Sequence, residues 1–250
     1  MDELDLVMYG RRVRLPHSVE RLVAYLGLAS QPVHRFKLAG ALWPDAGDTM
    51  AARSLRTALW RLNRGGTPIV DVREDRVALL PAIRVDIADL FDLTRQLLES
   101  PTTETLGQLH VLIDNSDLLP GWDDEWVVAD RERFRVMRLE ALERGAERLI
   151  EVGEHGRAIE AALAATQSDP LRDSARRLVV RIHLSEGNLA SAIQAYHEYR
   201  RLLVDEMGVE PSPAMQALLQ PHELMATGRR ASPVRLSTQD RRFAGTTRGR

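Results

Sequence analysis

Apolar and polar positions alternate along Leu4-Asp5-Leu6-Val7-Met8, the chain turns at Tyr9-Gly10, and the alternation resumes at Val13-Arg14-Leu15. This period of two predicts a small β-hairpin. From Ser18, read as an N-cap, the spacing changes: Val19, Leu22, Val23, Leu26 and Ala29 recur on one face of a helix. A second short helix is expected from about Arg35 to Trp43, stopped by Pro44. A third starts near Asp48 or Thr49 and ends before Gly65-Gly66. Ile69-Val70-Asp71-Val72 and Val77-Ala78-Leu79 predict a second hairpin around the polar tip Arg73-Glu74-Asp75-Arg76. Strands, three helices and a hairpin, in that order, predict a winged helix-turn-helix.

Past residue 85 the pattern turns helical. Pro101 precedes a run with Leu106, Leu109, Leu112 and Ile113, and a long pattern follows from Glu125 to about Val152. Gly153, Ala158, Ile159 and Ala161 then recur as Gly187, Ala192, Ile193 and Ala195, each pair 34 residues apart. That is the period of tetratricopeptide helix pairs, in which a small residue lets one helix settle against the next. Two such units cannot bury themselves alone, so the long helix before them and a final Pro213–Leu219 helix are expected to cap them. The fold class expected is mainly α, an N-terminal winged helix with short hairpins followed by an all-α tetratricopeptide-like body. The expected domains are residues 1–90, 91–225 and a disordered basic tail at 226–250.

Composition narrows the setting. Hydrophobic residues make up 44% of the 250, enough for a core in each half. No apolar run approaches the ~20 residues of a membrane helix, and Met1-Asp2-Glu3 is acidic where a signal peptide would be basic. The absence of cysteine excludes disulfides, Cys-ligated zinc, iron–sulfur clusters and thiol nucleophiles. A cytoplasmic, nucleoid-associated protein is expected, with no membrane partner. The formal net charge is only −2, but its distribution is uneven. Residues 10–66 carry ten Lys/Arg against three acids, and residues 226–250 carry seven arginines against one. The body between them is acidic. A basic module at one end of such a chain points to a polyanionic partner.

The third helix concentrates that charge. At about 100° per residue, Ala51, Ala52, Leu55, Ala58, Leu59 and Leu62 share one face. Arg53, Thr57, Trp60 and Arg64 lie opposite, flanked by Arg56 and Arg61, with no acid among them. A solvated surface helix usually intersperses Glu or Asp with its arginines. An α-helix fits the DNA major groove, and arginine is the commonest bidentate reader of guanine, while other arginines grip phosphate. Trp60 has two uses, packing on a base methyl or sugar, or folding back over the wing hairpin to bury its ring, and the second is favoured. The wing adds Arg73 and Arg76 as DNA contacts.

Catalytic chemistry finds no footing, and no cofactor or metal is expected. Seven histidines are scattered without a His-Glu-x-x-His pair, and neither a Gly-x-Ser-x-Gly elbow nor a Gly-x-Gly-x-x-Gly turn occurs. Asp123-Asp124-Glu125 is the densest carboxylate cluster, better explained as the opening of the long helix, whose dipole favours negative charge, than as a metal site. Asp169-Pro170 reads as a helix boundary, with Pro170 placed to start the next helix.

Particular stretches are familiar. Leu42-Trp43-Pro44-Asp45, Ala52-Arg53-Ser54-Leu55-Arg56-Thr57-Ala58 and Arg61-Leu62 resemble the second-to-third-helix segment of Streptomyces antibiotic regulatory proteins. Leu118-Leu119-Pro120-Gly121-Trp122-Asp123-Asp124-Glu125-Trp126, Arg131, Asp169-Pro170-Leu171-Arg172-Asp173, and Tyr196 to Pro211 ending in Glu206-Met207-Gly208-Val209-Glu210-Pro211 resemble their bacterial transcriptional activator domain. The similarity covers about residues 4–222. It implies an OmpR-type winged helix followed by a tetratricopeptide-like domain, in an activator of a biosynthetic gene cluster. The resemblance further implies several protomers, or a homodimer, on direct repeats near the promoter, and contact with the sigma and alpha subunits of RNA polymerase holoenzyme. In this type of domain the loop before the third helix is the usual polymerase contact, here Trp43, Pro44, Asp45 and Asp48. Two features depart from the family: the wing strand Asp75-Arg76-Val77-Ala78-Leu79 lacks the usual Gly-Tyr pair, and the N-terminal sheet is short. Larger relatives carry an ATPase module, whose Gly-x-x-x-x-Gly-Lys-[Ser/Thr] motif is not found here.

Double-stranded promoter DNA is thus the expected partner. The alternative is an interaction scaffold, in which the acidic helical body binds a peptide or regulator and the winged helix only helps to dock it. An RNA-reading winged helix has less support, because the basic module offers no aromatic stacking platform.

Overall fold

The computed structural model describes residues 4–29, 31–64, 68–115 and 117–228. The N-terminal unit opens with strands β1 (Leu6–Met8) and β2 (Arg11–Val13), an antiparallel hairpin closed by Tyr9 and Gly10, both at positive φ. Helix α1 (His17–Leu28) follows and buries Val19, Leu22, Val23 and Leu26 as its periodicity predicts, while Ala29, assigned to the same face, is the half-buried C-cap. The helix starts one residue before Ser18, which is therefore inside it. Pro16 is the capping residue, its carbonyl accepting from the Val19 and Glu20 amides.

Strand β3 (Val33–His34), too short to leave a periodic signal, leads into α2 (Arg35–Leu42) and α3 (Asp48–Asn63). Strands β4 (Val70–Arg73) and β5 (Arg76–Leu79) make the wing, and β3 pairs with β5 to give the order β3-β5-β4. Leu38, Leu42, Leu55, Leu62, Ile69 and Val77 join α1's apolar face in one core. Gly65-Gly66, expected to stop α3, lies outside the described residues.

The helical body begins with α4 (Asp86–Glu99), whose Ile87, Leu90, Leu93 and Leu97 form a clear buried stripe that the periodicity reading passed over. Two short helices, α5 (Thr103–Gly107) and α6 (Leu109–Asp114), replace the single run expected after Pro101. Then come α7 (Glu125–Glu151), α8 (His155–Ser168), α9 (Asp173–Ser185), α10 (Leu189–Met207) and α11 (Pro213–Gly228). Gly153 and Gly187 sit between α7 and α8 and between α9 and α10 at φ 80° and 73°, a left-handed turn that glycine makes without strain. The 34-residue repeat thus relates two helix pairs, and Ala158 and Ala192 are fully buried where the helices cross. The long helix is accordingly the first member of a pair rather than a cap. At the other end α11 packs on α9 and extends past Leu219 to Gly228, so positions 226–228, assigned to a disordered tail, are helical. The rest of that tail lies outside the described residues. Pro170 does not start a helix: α8 ends at Ser168, Asp169 caps it, and α9 begins at Asp173.

Arg138 is the largest fully buried side chain. Its guanidinium donates to the Leu112 carbonyl at 2.6 Å, the Ile113 carbonyl at 3.4 Å and Ser168 Oγ at 2.8 Å. These groups lie in the last turns of α6 and α8, where carbonyls lack helical partners, so a buried cation there meets two negative helix ends. Burial lowers its pKa from the ordinary arginine value.

The winged helix and the helical body meet along α1. Arg21 forms an ion pair with Asp124, the residue capping α7, and the Tyr25 and Trp126 rings meet edge-on with centroids 5.1 Å apart. Trp126 packs into the winged-helix core although it belongs to α7. Asp124 is therefore a bridge between the two units as well as a helix opener. Arg131 fixes the loop before α7 by donating to the carbonyls of Leu118, Leu119 and Trp122. Among the described residues no helix is long and apolar enough to cross a membrane.

Candidate nucleic-acid interface

Helix α3 is set by what it buries. Ala51, Leu55, Ala58, Leu59 and Leu62 are each at most 6% exposed and pack into the winged-helix core. Ala52, assigned to the same face, is exposed; it lies at the edge of the buried arc, beside a notch of about 370 Å³ between α2 and α3. With the helix pinned on its alanine and leucine side, Arg53, Arg56, Thr57, Trp60, Arg61 and Arg64 all project into solvent. Among the described residues no carboxylate pairs with these four arginines.

Trp60 does not fold back over the wing. The residue is 60% exposed, and the Arg64 guanidinium lies over its ring with Cζ 5.1 Å from the centroid. One helical turn separates the two, so the contact is made on the helix surface and needs no help from the hairpin. The indole gains partial cover from Arg64 where the hairpin was expected to supply it. Thr57 Oγ1 donates to the Arg53 carbonyl at 3.0 Å, which uses its proton and leaves oxygen lone pairs facing outward.

The wing arginines are held differently. Arg76 donates to the Pro32 carbonyl at 3.1 Å, and Arg73 pairs with Asp71 at 2.8 Å. Both remain solvent-exposed, but each has an oxygen partner, whereas among the described residues no carboxylate pairs with an α3 arginine. The wing tip is tied to α2: the Arg35 amide donates to the Asp75 carbonyl at 2.6 Å, and His34 Nε2 lies 2.5 Å from Asp75 Oδ2. His34 Nδ1 accepts from the Phe36 amide, which assigns the ring proton to Nε2 and toward that carboxylate. Sequence reasoning missed this tie because β3 is two residues long; the only available signal was the Val33-His34 pair before α2.

In the loop between α2 and α3, Pro44 and Asp45 are exposed, as is Asp48 at the first position of α3, while Trp43 is half-buried against the core. Trp43 therefore anchors the loop and the other three present its surface. Among the described residues no group of three His, Asp or Glu side chains converges to hold a metal ion.

A winged helix with a bare cationic helix, joined through α1 to stacked helix pairs, defines the class of protein. The model of the bacterial transcriptional activator domain matches residues 90–221, more than half of the chain, and the chain belongs to that family. It is similar to the regulatory protein AfsR of Streptomyces coelicolor, 29% identical over 193 residues that cover 74% of this chain and 19% of the relative. The AfsR of Streptomyces griseus is 30% identical over 200 residues, covering 74% and 20%. The chain thus spans about a fifth of the length of the curated relatives it matches. Among solved structures it resembles Mycobacterium tuberculosis EmbR, determined in complex with a low affinity phosphopeptide, with a TM-score of 0.69 at 17% identity. That match covers 90% of this chain and 63% of the other and is a likeness of fold.

Proposed function

We propose that this chain is a sequence-specific, DNA-binding transcriptional activator that inserts α3 into the major groove of promoter DNA. The observation that carries the proposal is the row of four exposed arginines on one helix, with no carboxylate paired to them among the described residues. Arg53, Arg56, Arg61 and Arg64 read guanine edges or clamp phosphates, with Thr57 and Trp60 between them. Arg73 and Arg76 assist from the wing after exchanging their present partners for phosphate. Membership of an activator family and similarity to two AfsR regulators support the same direction.

Activation is assigned to the loop of Trp43, Pro44, Asp45 and Asp48, whose exposed groups would touch RNA polymerase holoenzyme through its sigma or alpha subunits. More than one protomer would occupy direct repeats near the promoter, and a biosynthetic gene cluster is the proposed target. Such a protein acts without catalysing a reaction, in the cytoplasm on the nucleoid. Selection of preferred sites from random duplex DNA with purified protein, at two salt concentrations, tests the proposal. A repeated motif should be enriched, with binding that weakens steeply as salt rises. Failure to enrich any motif at either salt would favour the scaffold alternative.

A further inference from the structure

A large cleft of about 1270 Å³, mostly apolar in its lining and open to solvent, lies where the N-terminal hairpin, α1, the chain leaving β5 and the loop before α7 come together. Its walls come from both units: Leu4 and Met8 from the hairpin, Ala24 and Leu28 from α1, Ile83 after the wing, and Leu119 from the loop. Ligand pockets typically measure about 300–1,000 Å³ and favour domain interfaces. This cleft is of that order of size and lies at such a junction.

We infer that this cleft is a binding site for an uncharged, lipophilic small molecule. The class follows from the polar groups at its edge, which are already engaged. Arg12 pairs with Asp5, and Arg84 pairs with Asp89. Asn115 donates to the Val111 carbonyl, Asp86 accepts from the Ile87 amide, and Asp117 accepts from the Leu118 amide and lies within ion-pair distance of Arg131. A charged ligand would compete with these contacts, whereas an uncharged apolar one can use the aliphatic lining and the Tyr9 ring without displacing any of them. Leu119 supplies a second, independent mark. Its φ of 46° is rare for a leucine, and Arg131 holds it there through the Leu118 and Leu119 carbonyls. Backbone kept in a sparsely populated region by its surroundings is a recurrent property of ligand clamps. A bound molecule would touch the winged helix and the helical body at once and so favour their docked arrangement.

The site does not depend on DNA binding and is tested without DNA, by titrating the full chain with the uncharged fluorophore N-phenyl-1-naphthylamine. One saturable site with blue-shifted emission is expected. Ala24→Phe, which extends into the cleft, should weaken that binding at least tenfold. Ala82→Trp, at the exposed rim, should do the same, so that a folding defect in the first variant does not decide the outcome. Leu163→Ala, an exposed apolar position on α8, should leave the titration unchanged. Absence of saturable binding, or binding that neither Ala24→Phe nor Ala82→Trp weakens, overturns the inference. So does probe binding that disappears as protein concentration rises and the chain dimerises, since a second copy would then be the occupant.

Discussion

Arg21 of α1 and Asp124 at the start of α7 are 103 residues apart in sequence and form an ion pair with both side chains more than four-fifths buried. This contact ties α1, which packs against α3, to the helical body, with Tyr25 and Trp126 packed beside it. Buried polar pairs lose most when one partner is left alone. Arg21→Ala and Asp124→Ala should each lower stability by about 1–3 kcal/mol in denaturant unfolding. The double variant should lose less than the sum, and strict additivity would mean that the pair is not coupled.

Arg138→Ala should be more damaging than a typical substitution. It orphans the Leu112 and Ile113 carbonyls in the last turn of α6, removes a partner from Ser168 Oγ at the end of α8 and opens a hole in the core, a combined loss of about 3 kcal/mol or more. Arg138→Lys should recover only part of this, since an ammonium cannot span the three acceptors that the planar guanidinium reaches. Urea midpoints for the two variants check both statements, and full recovery by lysine would show that charge alone is needed.

Tyr199 gives a pH signature. Its buried hydroxyl lies near the Leu171 carbonyl and Asp173, and burial, followed by the Asp173 charge, pushes its pKa up from 10.0 to about 12. The folded state therefore holds this proton more tightly than the unfolded chain. Its contribution is fully present below about pH 10 and is lost as pH rises toward 12. Thermal unfolding followed between pH 9 and pH 12 should show a loss of stability that is shallower in Tyr199→Phe; identical profiles would contradict the assignment.

How much of this was legible in the sequence depended on length and period. The alternation of Leu4–Met8 with Val13–Leu15, the apolar face of α3 and the 34-residue repeat each use a spacing that the backbone imposes, and the structure places elements at all three. Strand β3 was invisible because two residues have no period, and its pairing with β5 depends on contacts between positions more than forty apart. Trp60 was misplaced because an amphipathic plot says which way a side chain points but not which neighbour covers it. Arg64, one turn away, supplied that neighbour. The role of Asp124 was half seen. Its place at a helix start is a local property, whereas Arg21 as its partner is a tertiary one.

The loop before α3 separates activation from binding. Substitutions within Pro44–Gly47 should leave affinity for the selected DNA within about twofold, because these residues lie off the arginine face, while abolishing stimulation in a reconstituted transcription reaction. Loss of both activities in parallel would return the loop to a purely structural role.

Trp60→Ala should change stability by no more than about 0.5 kcal/mol, as expected of an exposed position. Its effect should instead be on DNA, as weakened affinity without a change in the salt dependence, since the indole carries no charge. A large drop in the unfolding midpoint would mean that the ring is buried in solution.

The most direct test is the slope of log K against log salt for the selected DNA, measured for the wild type and for Arg53→Ala, Arg56→Ala, Arg61→Ala and Arg64→Ala. An arginine that grips phosphate should reduce the slope by about one when removed and weaken all sequences alike. One that reads a base should instead relax preference at a single position, at a loss of about 1–3 kcal/mol for the preferred site. The account predicts that each of the four falls into one of these classes. If Arg56→Ala and Arg64→Ala both leave affinity, slope and preference unchanged, α3 is not the reading helix.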